Sequence, residues 1–316
     1  MDRDFNSSIF FSDNERYADI INGIGCDGVP FVKGKDLQEQ DTKVRFSIFR
    51  KYGRREKRKK TFCRDLLRKT PFGVNFAIIG IENQEEIDYA LPLRVLCYDA
   101  GEYEKQAVRI RKEVREKSRG MSAGEYLYGF RKESRLFPTI TFVLYYGEKE
   151  WDGGKDLHSL LDFTGIPEGL REKISNYQIH VVEVRKLVDT SRFKTDVKQV
   201  FDFIRFSGDK EKLRELMTTD QSYAFLEEDA CDMVLSYVGE ENMFRIKEKH
   251  KKGGKVDMCQ GLKEWIEDER NEGKQMGENR FASLTQILIT NGRTDDLLRA
   301  ATDKEYRKKL FSELKI

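Results

Sequence analysis

With 316 residues the chain is long enough for one large or two modest domains and a sizeable core. Charged residues make up 36% of it, but the net charge is only +2, so overall charge marks no nucleic-acid binder and such a role would rest on local clustering. Hydrophobic content of 38% excludes a disordered chain. Five scattered cysteines without a Cys-x-x-Cys pair, three histidines and no apolar run of about 18 residues argue against disulfides, zinc, secretion and membrane spanning. The expectation is a soluble cytoplasmic protein.

In chain order, Ser12-Asp13-Asn14-Glu15 predicts the start of a helix carrying Tyr17, Ala18, Ile20, Ile21 and Ile24, closed by Gly23 and Gly25. Residues 27–32 read as a turn and a short strand. Residues 33–60 are mostly polar and end in the sharpest charge asymmetry of the chain: Arg50, Lys51, Arg54, Arg55, Lys57, Arg58, Lys59 and Lys60 against Glu56 alone. Residues 62–68 and 74–81 read as two strands of a hairpin, turned by Thr70-Pro71-Phe72-Gly73, the second nearly continuous in apolar residues. A helix follows over 92–118, with Leu93, Leu96, Cys97, Ala100, Ala107, Ile110 and Val114 on its apolar stripe. It leads to a second buried strand at 139–147, so that connection predicts a crossover and a parallel pair. Residues 177–184 predict one more strand. From residue 193 the pattern turns helical, near 193–206, 209–217, 220–236, 240–250, 256–289 and 294–315. The fold class is therefore α/β, a mixed sheet flanked by helices over residues 1–205, followed by a helical region over 206–316 that forms a bundle or an oligomerisation extension.

The chemistry points to Ile81-Glu82-Asn83-Gln84. If residue 65 pairs with 82, the hairpin midpoint falls between Gly73 and Val74, Asp65 faces Glu82 across the strands, and Gln84 shares their face. Facing carboxylates destabilise a sheet unless a cation lies between them, and carboxylate oxygens suit Mg²⁺. The bland alternative is two ordinary surface acids at strand ends. Glu15 on the first helix is the candidate third acid; against it stands a capping box with Ser12, in which Glu15 serves only the helix start. Asp19, one turn on, is the alternative acid. The basic run, above all Arg54, Arg55, Lys57, Arg58, Lys59 and Lys60, precedes Asp65 closely and would grip phosphates without reading sequence. His158, His180 and His250 are scattered and carry no expected role.

Asp65, then Ile81-Glu82-Asn83-Gln84, then Pro92-Leu93-Arg94-x-x-x-Tyr98-Asp99-Ala100, then Val143-Leu144-Tyr145-Tyr146-Gly147 with Trp151 close behind, together resemble the recombination-promoting nuclease (transposase-like) family of the PD-(D/E)XK nuclease superfamily. The opening Glu15-Arg16-Tyr17-Ala18-Asp19-Ile20-Ile21-Asn22-Gly23 is similar as well. The likeness covers residues 10–205 well and the tail loosely. It implies a restriction-endonuclease-like fold and an endodeoxyribonuclease with little sequence specificity that uses Mg²⁺, with Mn²⁺ as the alternative, in recombination, mobile-element or defence biology. By the same resemblance Asp65 matches the superfamily aspartate, Glu82 the acid of its acid-x-lysine pair, and Gln84 stands in the lysine position. A glutamine there, which carries no charge and has no tunable pKa, leaves a second reading: a nucleic-acid-binding or interaction protein on the same fold that has lost catalysis. DNA is the implied partner, with self-association through the helical tail.

Overall fold

A computed structural model of the chain describes residues 3–47, 59–63, 66–81, 87–116, 120–238 and 247–314. Helices α1 (Arg3–Phe10) and α2 (Asn14–Ile20) come first, and α2 widens into a π turn at Ile21–Gly25. The side chain of Asp13, not Ser12, caps α2, accepting from the N–H groups of Glu15 and Arg16 at 2.9 and 3.0 Å. The expected capping box is therefore replaced by its neighbour: the Ser12 hydroxyl donates back to the Ile9 carbonyl at 2.6 Å. The strand expected near 29–32 belongs to no sheet. Asn22 occupies the place of a partner strand, its Oδ1 accepting from Phe31 and Val32 and its Nδ2 donating to the Val32 carbonyl.

Five strands form the central sheet, β1 (Gln38–Glu39), β4 (Leu66–Lys69), β5 (Asn75–Ile81), β6 (Thr139–Tyr145) and β7 (His180–Glu183), in the spatial order β1-β4-β5-β6-β7. The β1–β4 and β4–β5 pairs are antiparallel, whereas β5–β6 and β6–β7 are parallel. The mixed α/β sheet, the hairpin and the crossover through α3 (Leu91–Glu116) follow the pattern read from sequence. Every residue of β6 except Ile140 is buried, because both its faces are covered. Phe142 and Leu144 join α2, α6 (Val197–Phe206) and α8 (Glu228–Val238) on one side, while Val143 and Tyr145 pack with Leu91, Val95 and Tyr98 of α3 on the other.

The stretch expected as one strand over 62–68 is divided. Its first residues, Phe62 and Cys63, belong to β3 (Lys59–Cys63), which pairs antiparallel with β2 (Lys43–Ser47) in a separate ribbon resting on α3. Only β4 enters the main sheet. Its turn into β5 closes through Thr70 N–H to the Val74 carbonyl and Gly73 N–H to the Thr70 carbonyl, both at 2.9 Å. Gly73 sits at φ +91°, and a Cβ there would come within 2.2 Å of the Phe137 ring. Gly73→Ala is therefore expected to lower stability by about 1–2 kcal/mol, read as a shift in urea midpoint. A shift below a few tenths of a kcal/mol would show that the turn adapts freely.

The main core does not stop at residue 205: Leu213 and Met217 of α7 (Lys210–Thr219), Tyr223, and Ala230, Met233 and Val234 of α8 share one cluster with Phe10, Tyr17 and Phe201. A Gly253-Gly254 hairpin, at φ +62° and +81°, joins β9 (Lys251–Lys252) to β10 (Lys255–Val256), which pairs in turn with β8 (Leu226–Glu227). Helix α9 (Met258–Thr290) begins in the main core and ends in a second cluster, where Leu284 and Leu288 pack on Ala300 of α10 (Thr294–Thr302) and Leu310 of α11 (Lys304–Leu314). Packing thus divides inside α9, well after the boundary that composition suggests. Among the described residues no helix is long and apolar enough to cross a membrane.

Candidate active site

The parallel strands β5, β6 and β7 end together, Ile81 beside Tyr145 and Tyr145 beside Glu183. In open α/β sheets the crevice outside such carboxyl ends is the habitual ligand site. Glu82, Asn83 and Gln84 follow Ile81 directly in the chain. They lie outside the described residues, as do Asp65, Arg54, Arg55, Lys57 and Arg58.

The β4–β5 ladder departs from the expected register. Leu66 pairs with Ile78, whereas setting 65 against 82 requires Leu66 to pair with Ile81, three residues further on. An odd slip also exchanges the two faces of a strand. The short loop, with Lys69 opposite Asn75, fixes this register and not the one centred between Gly73 and Val74.

Glu15 is exposed on the first turn of α2. Its neighbours are tied to β4: the buried Arg68 donates to Asn14 Oδ1 at 3.0 Å and to the Ser12 carbonyl at 3.2 Å, with Tyr17 beneath its guanidinium. Arg68 pairs with Phe76, five residues and about 17 Å before Ile81. The helix acid therefore enters from the far part of the β5 ladder. Gly34 passes so close that a Cβ there would meet the Glu15 carboxyl carbon at 2.6 Å. Asp19 is buried and committed to structure, accepting from the N–H groups of Lys194 and Thr195 and from the Thr195 hydroxyl.

Of the basic run, Lys59 and Lys60 lie on β3, paired with Ser47 and Phe46. From Lys60 the strand continues for three residues, about 10 Å of extended chain, to Cys63. The ribbon is fixed near its base by Lys105 of α3, which donates to the Asp41 carbonyl at 2.6 Å.

Several groups at the carboxyl edge carried no signal in the sequence pattern. Glu183 accepts from Trp151 N–H at 3.1 Å and lies 3.1 Å from Lys186 and 3.6 Å from Lys155. Burial alone would raise this carboxyl, but the Trp151 N–H and Lys186 outweigh it and hold it below the usual range. Lys186 also pairs with Glu150. The Trp151 ring stands edge-on to Tyr145 at 5.2 Å, and burial, then Glu183 and Asp152, push the Tyr145 phenol up. The edge thus sets two half-exposed lysines around Glu183, above a buried Tyr145–Trp151 pair. An acid ending a short strand, followed three residues on by a lysine, is the one sequence cue that would have found it.

The histidines are spread as expected: His158 bonds the Ile174 carbonyl, His180 faces Phe142, and His250 lies 3.0 Å from Glu264. Among the described residues no three His, Cys, Asp or Glu side chains converge as a metal site. Of the candidate acids, Glu15 and Asp19 are within that set, and Asp19 is already engaged by Lys194 and Thr195. No family model, curated protein or solved structure matches the chain.

Proposed function

We propose that the chain is a Mg²⁺-dependent DNA endonuclease of the restriction-endonuclease-like class, acting in the cytoplasm with little sequence specificity. The observation that supports this reading is topological: an antiparallel hairpin runs into a crossover helix and a parallel strand, and in the chain Glu82-Asn83-Gln84 follows directly on Ile81, the last residue of β5. That is the position from which a sheet of this kind presents chemistry.

In this reading Asp65 and Glu82 hold the cation, and their carboxylate oxygens are the hard donors that Mg²⁺ takes. When bound, the ion lowers the pKa of a water and neutralises charge gathering on the scissile phosphate. Gln84 positions that water or a phosphate oxygen by hydrogen bonding. Glu15 serves as a third ligand only if the chain brings it across from the Arg68 rung, which makes it the least supported member of the set. Lys59, Lys60 and the basic residues before them grip the DNA backbone.

The direct test is conversion of supercoiled plasmid to nicked and linear forms by purified protein, with Mg²⁺ and with a chelator. Cleavage that appears with Mg²⁺ and vanishes with the chelator is the expected result. Gln84 favours one other outcome: salt-dependent DNA binding with no metal-dependent turnover, which would replace the nuclease by a binding protein on the same fold. Self-association through α9 is the further expectation, and an oligomeric state unchanged by deleting residues beyond 255 would exclude it.

A further inference from the structure

The stretch 105–135 holds ten Lys and Arg against four Glu, in a chain whose net charge is only +2. Its described part folds into the last turns of α3 and the short helix α4 (Ala123–Tyr128), which packs beside it. Helix α4 is too short to stand alone, and it is fastened at both ends. Ser122 Oγ accepts from Glu125 N–H at 3.2 Å, and Glu125 accepts from Ser122 N–H at 2.9 Å and from Lys132 N–H at 3.2 Å. Gly129 closes the helix at φ +64°, and a Cβ there would lie 3.3 Å from Arg111 Cβ, so α4 ends hard against α3.

What this well-fixed helix presents is apolar and aromatic. Tyr126, Leu127 and Tyr128 are 63%, 70% and 72% exposed, and Val108 of α3 is 55% exposed. None of the three α4 side chains helps to bury the helix, so packing does not explain them. On the α3 side a shallow cleft of about 490 Å³ is lined by Val108, Arg111, Lys112, Arg115 and Glu116. Arg111 is paired with Glu104, whereas Lys112 and Arg115 are exposed.

We propose that this α3–α4 corner binds single-stranded nucleic acid, with Tyr126 and Tyr128 as stacking faces and Lys112 and Arg115 as phosphate contacts. The charge selects a polyanion over a neutral apolar partner. The exposed rings select one whose bases are free to stack, which a closed duplex does not offer. The inference extends the nucleic-acid reading of the chain but does not depend on cleavage at Glu82.

The test uses the full chain and fluorescence anisotropy of labelled oligothymidylate of about 20 nucleotides, compared with a duplex of equal length. Tyr126→Ala/Tyr128→Ala is expected to weaken single-strand binding at least about ten-fold and duplex binding less than about three-fold. Tyr126→Phe/Tyr128→Phe, which keeps the rings, should bind like the parent. Lys112→Glu/Arg115→Glu should weaken both and flatten the salt dependence. Unchanged single-strand binding by a folded alanine variant overturns the proposal. So does an alanine variant whose only change is loss of self-association, which would assign the patch to contact between copies. Metal-dependent nicking with unaffected single-strand binding would sink this inference and leave the nuclease reading standing; the reverse pattern would do the opposite.

Discussion

Replacing Arg16 with methionine is expected to lower stability by about 3–5 kcal/mol, read from urea denaturation. Arg16 is 6% exposed and lies where three helices meet. Its Nε and one terminal nitrogen grip Asp196 at 2.7 and 2.8 Å, and its terminal nitrogens grip Asp229 at 2.5 and 2.9 Å. It also donates to the Phe10 carbonyl at 3.2 Å and lies over the Phe10 ring. Asp196 immediately precedes α6 and Asp229 is on α8, so one guanidinium joins the N-terminal helices to both. Methionine fills similar space but leaves two carboxylates facing each other without a cation. The interaction with Asp196 should dominate, because its side chain is 17% exposed against 34% for Asp229. Adding Asp196→Asn and Asp229→Asn to the methionine variant should recover much of the loss, since the penalty is uncompensated charge. A methionine variant within about 1 kcal/mol of the parent would show that the helices hold together by apolar packing alone.

The same cluster sets a pH dependence of known sign. Burial, assisted by Asp229 and Glu227, raises the Asp196 carboxyl above its ordinary value in spite of Arg16. A group raised on folding binds its proton more tightly in the folded state. Its contribution to stability is therefore fully present below the ordinary aspartate range and is lost as pH rises through the raised value.

Much of the architecture was legible because it is written in local periodicity. The apolar runs of β5 and β6 needed no knowledge of distant partners, and the helix between them dictated parallel pairing. The stripe of α3 was misplaced over its first turns: Leu93 and Ala100 are exposed, and Leu91, Val95 and Tyr98 pack on the sheet instead, with Ala107 and Val114 the expected stripe residues that are buried. Arg16 was silent for the opposite reason: its partners lie 180 and 213 residues away. Ribbon β2–β3 was legible in part: Lys43-Val44-Arg45-Phe46-Ser47 alternates polar and apolar residues, but the basic run after it dominates the composition of residues 33–60. The Gly253-Gly254 pair was a legible hairpin signal, obscured by the lysines on either side. At the candidate site, the turn between β4 and β5 was readable but its register was not. Thr70 to Val74 all lie in the loop, and residue types there do not say which pair closes the ladder. Ser12 and Asp13 posed the same problem on a smaller scale, as adjacent residues that both cap helices well.

At the candidate active site, Asp65→Asn and Glu82→Gln are each expected to reduce Mg²⁺-dependent plasmid cleavage by about 10³-fold or more. The estimate follows from the several kcal/mol that a correctly held cation contributes at a phosphoryl group, at about 1.4 kcal/mol per factor of ten. Both substitutions keep side-chain size and remove one negative charge, so DNA binding without metal should be unchanged or slightly stronger. Nicking by both variants at the parent's rate would identify a contaminating nuclease and remove the reading altogether. Gln84 separates the remaining possibilities. An amide orients a water or a phosphate oxygen through a dipole, and loss of one such contact typically costs about 10²–10³ at most. Gln84→Ala should thus slow cleavage less than either carboxylate change. Gln84→Lys places a full charge where the amide places a dipole and should raise the rate above the parent's. A Gln84→Lys protein as slow as Gln84→Ala would mean that the glutamine is required for its geometry, and that the site works as an acid-amide centre in its own right.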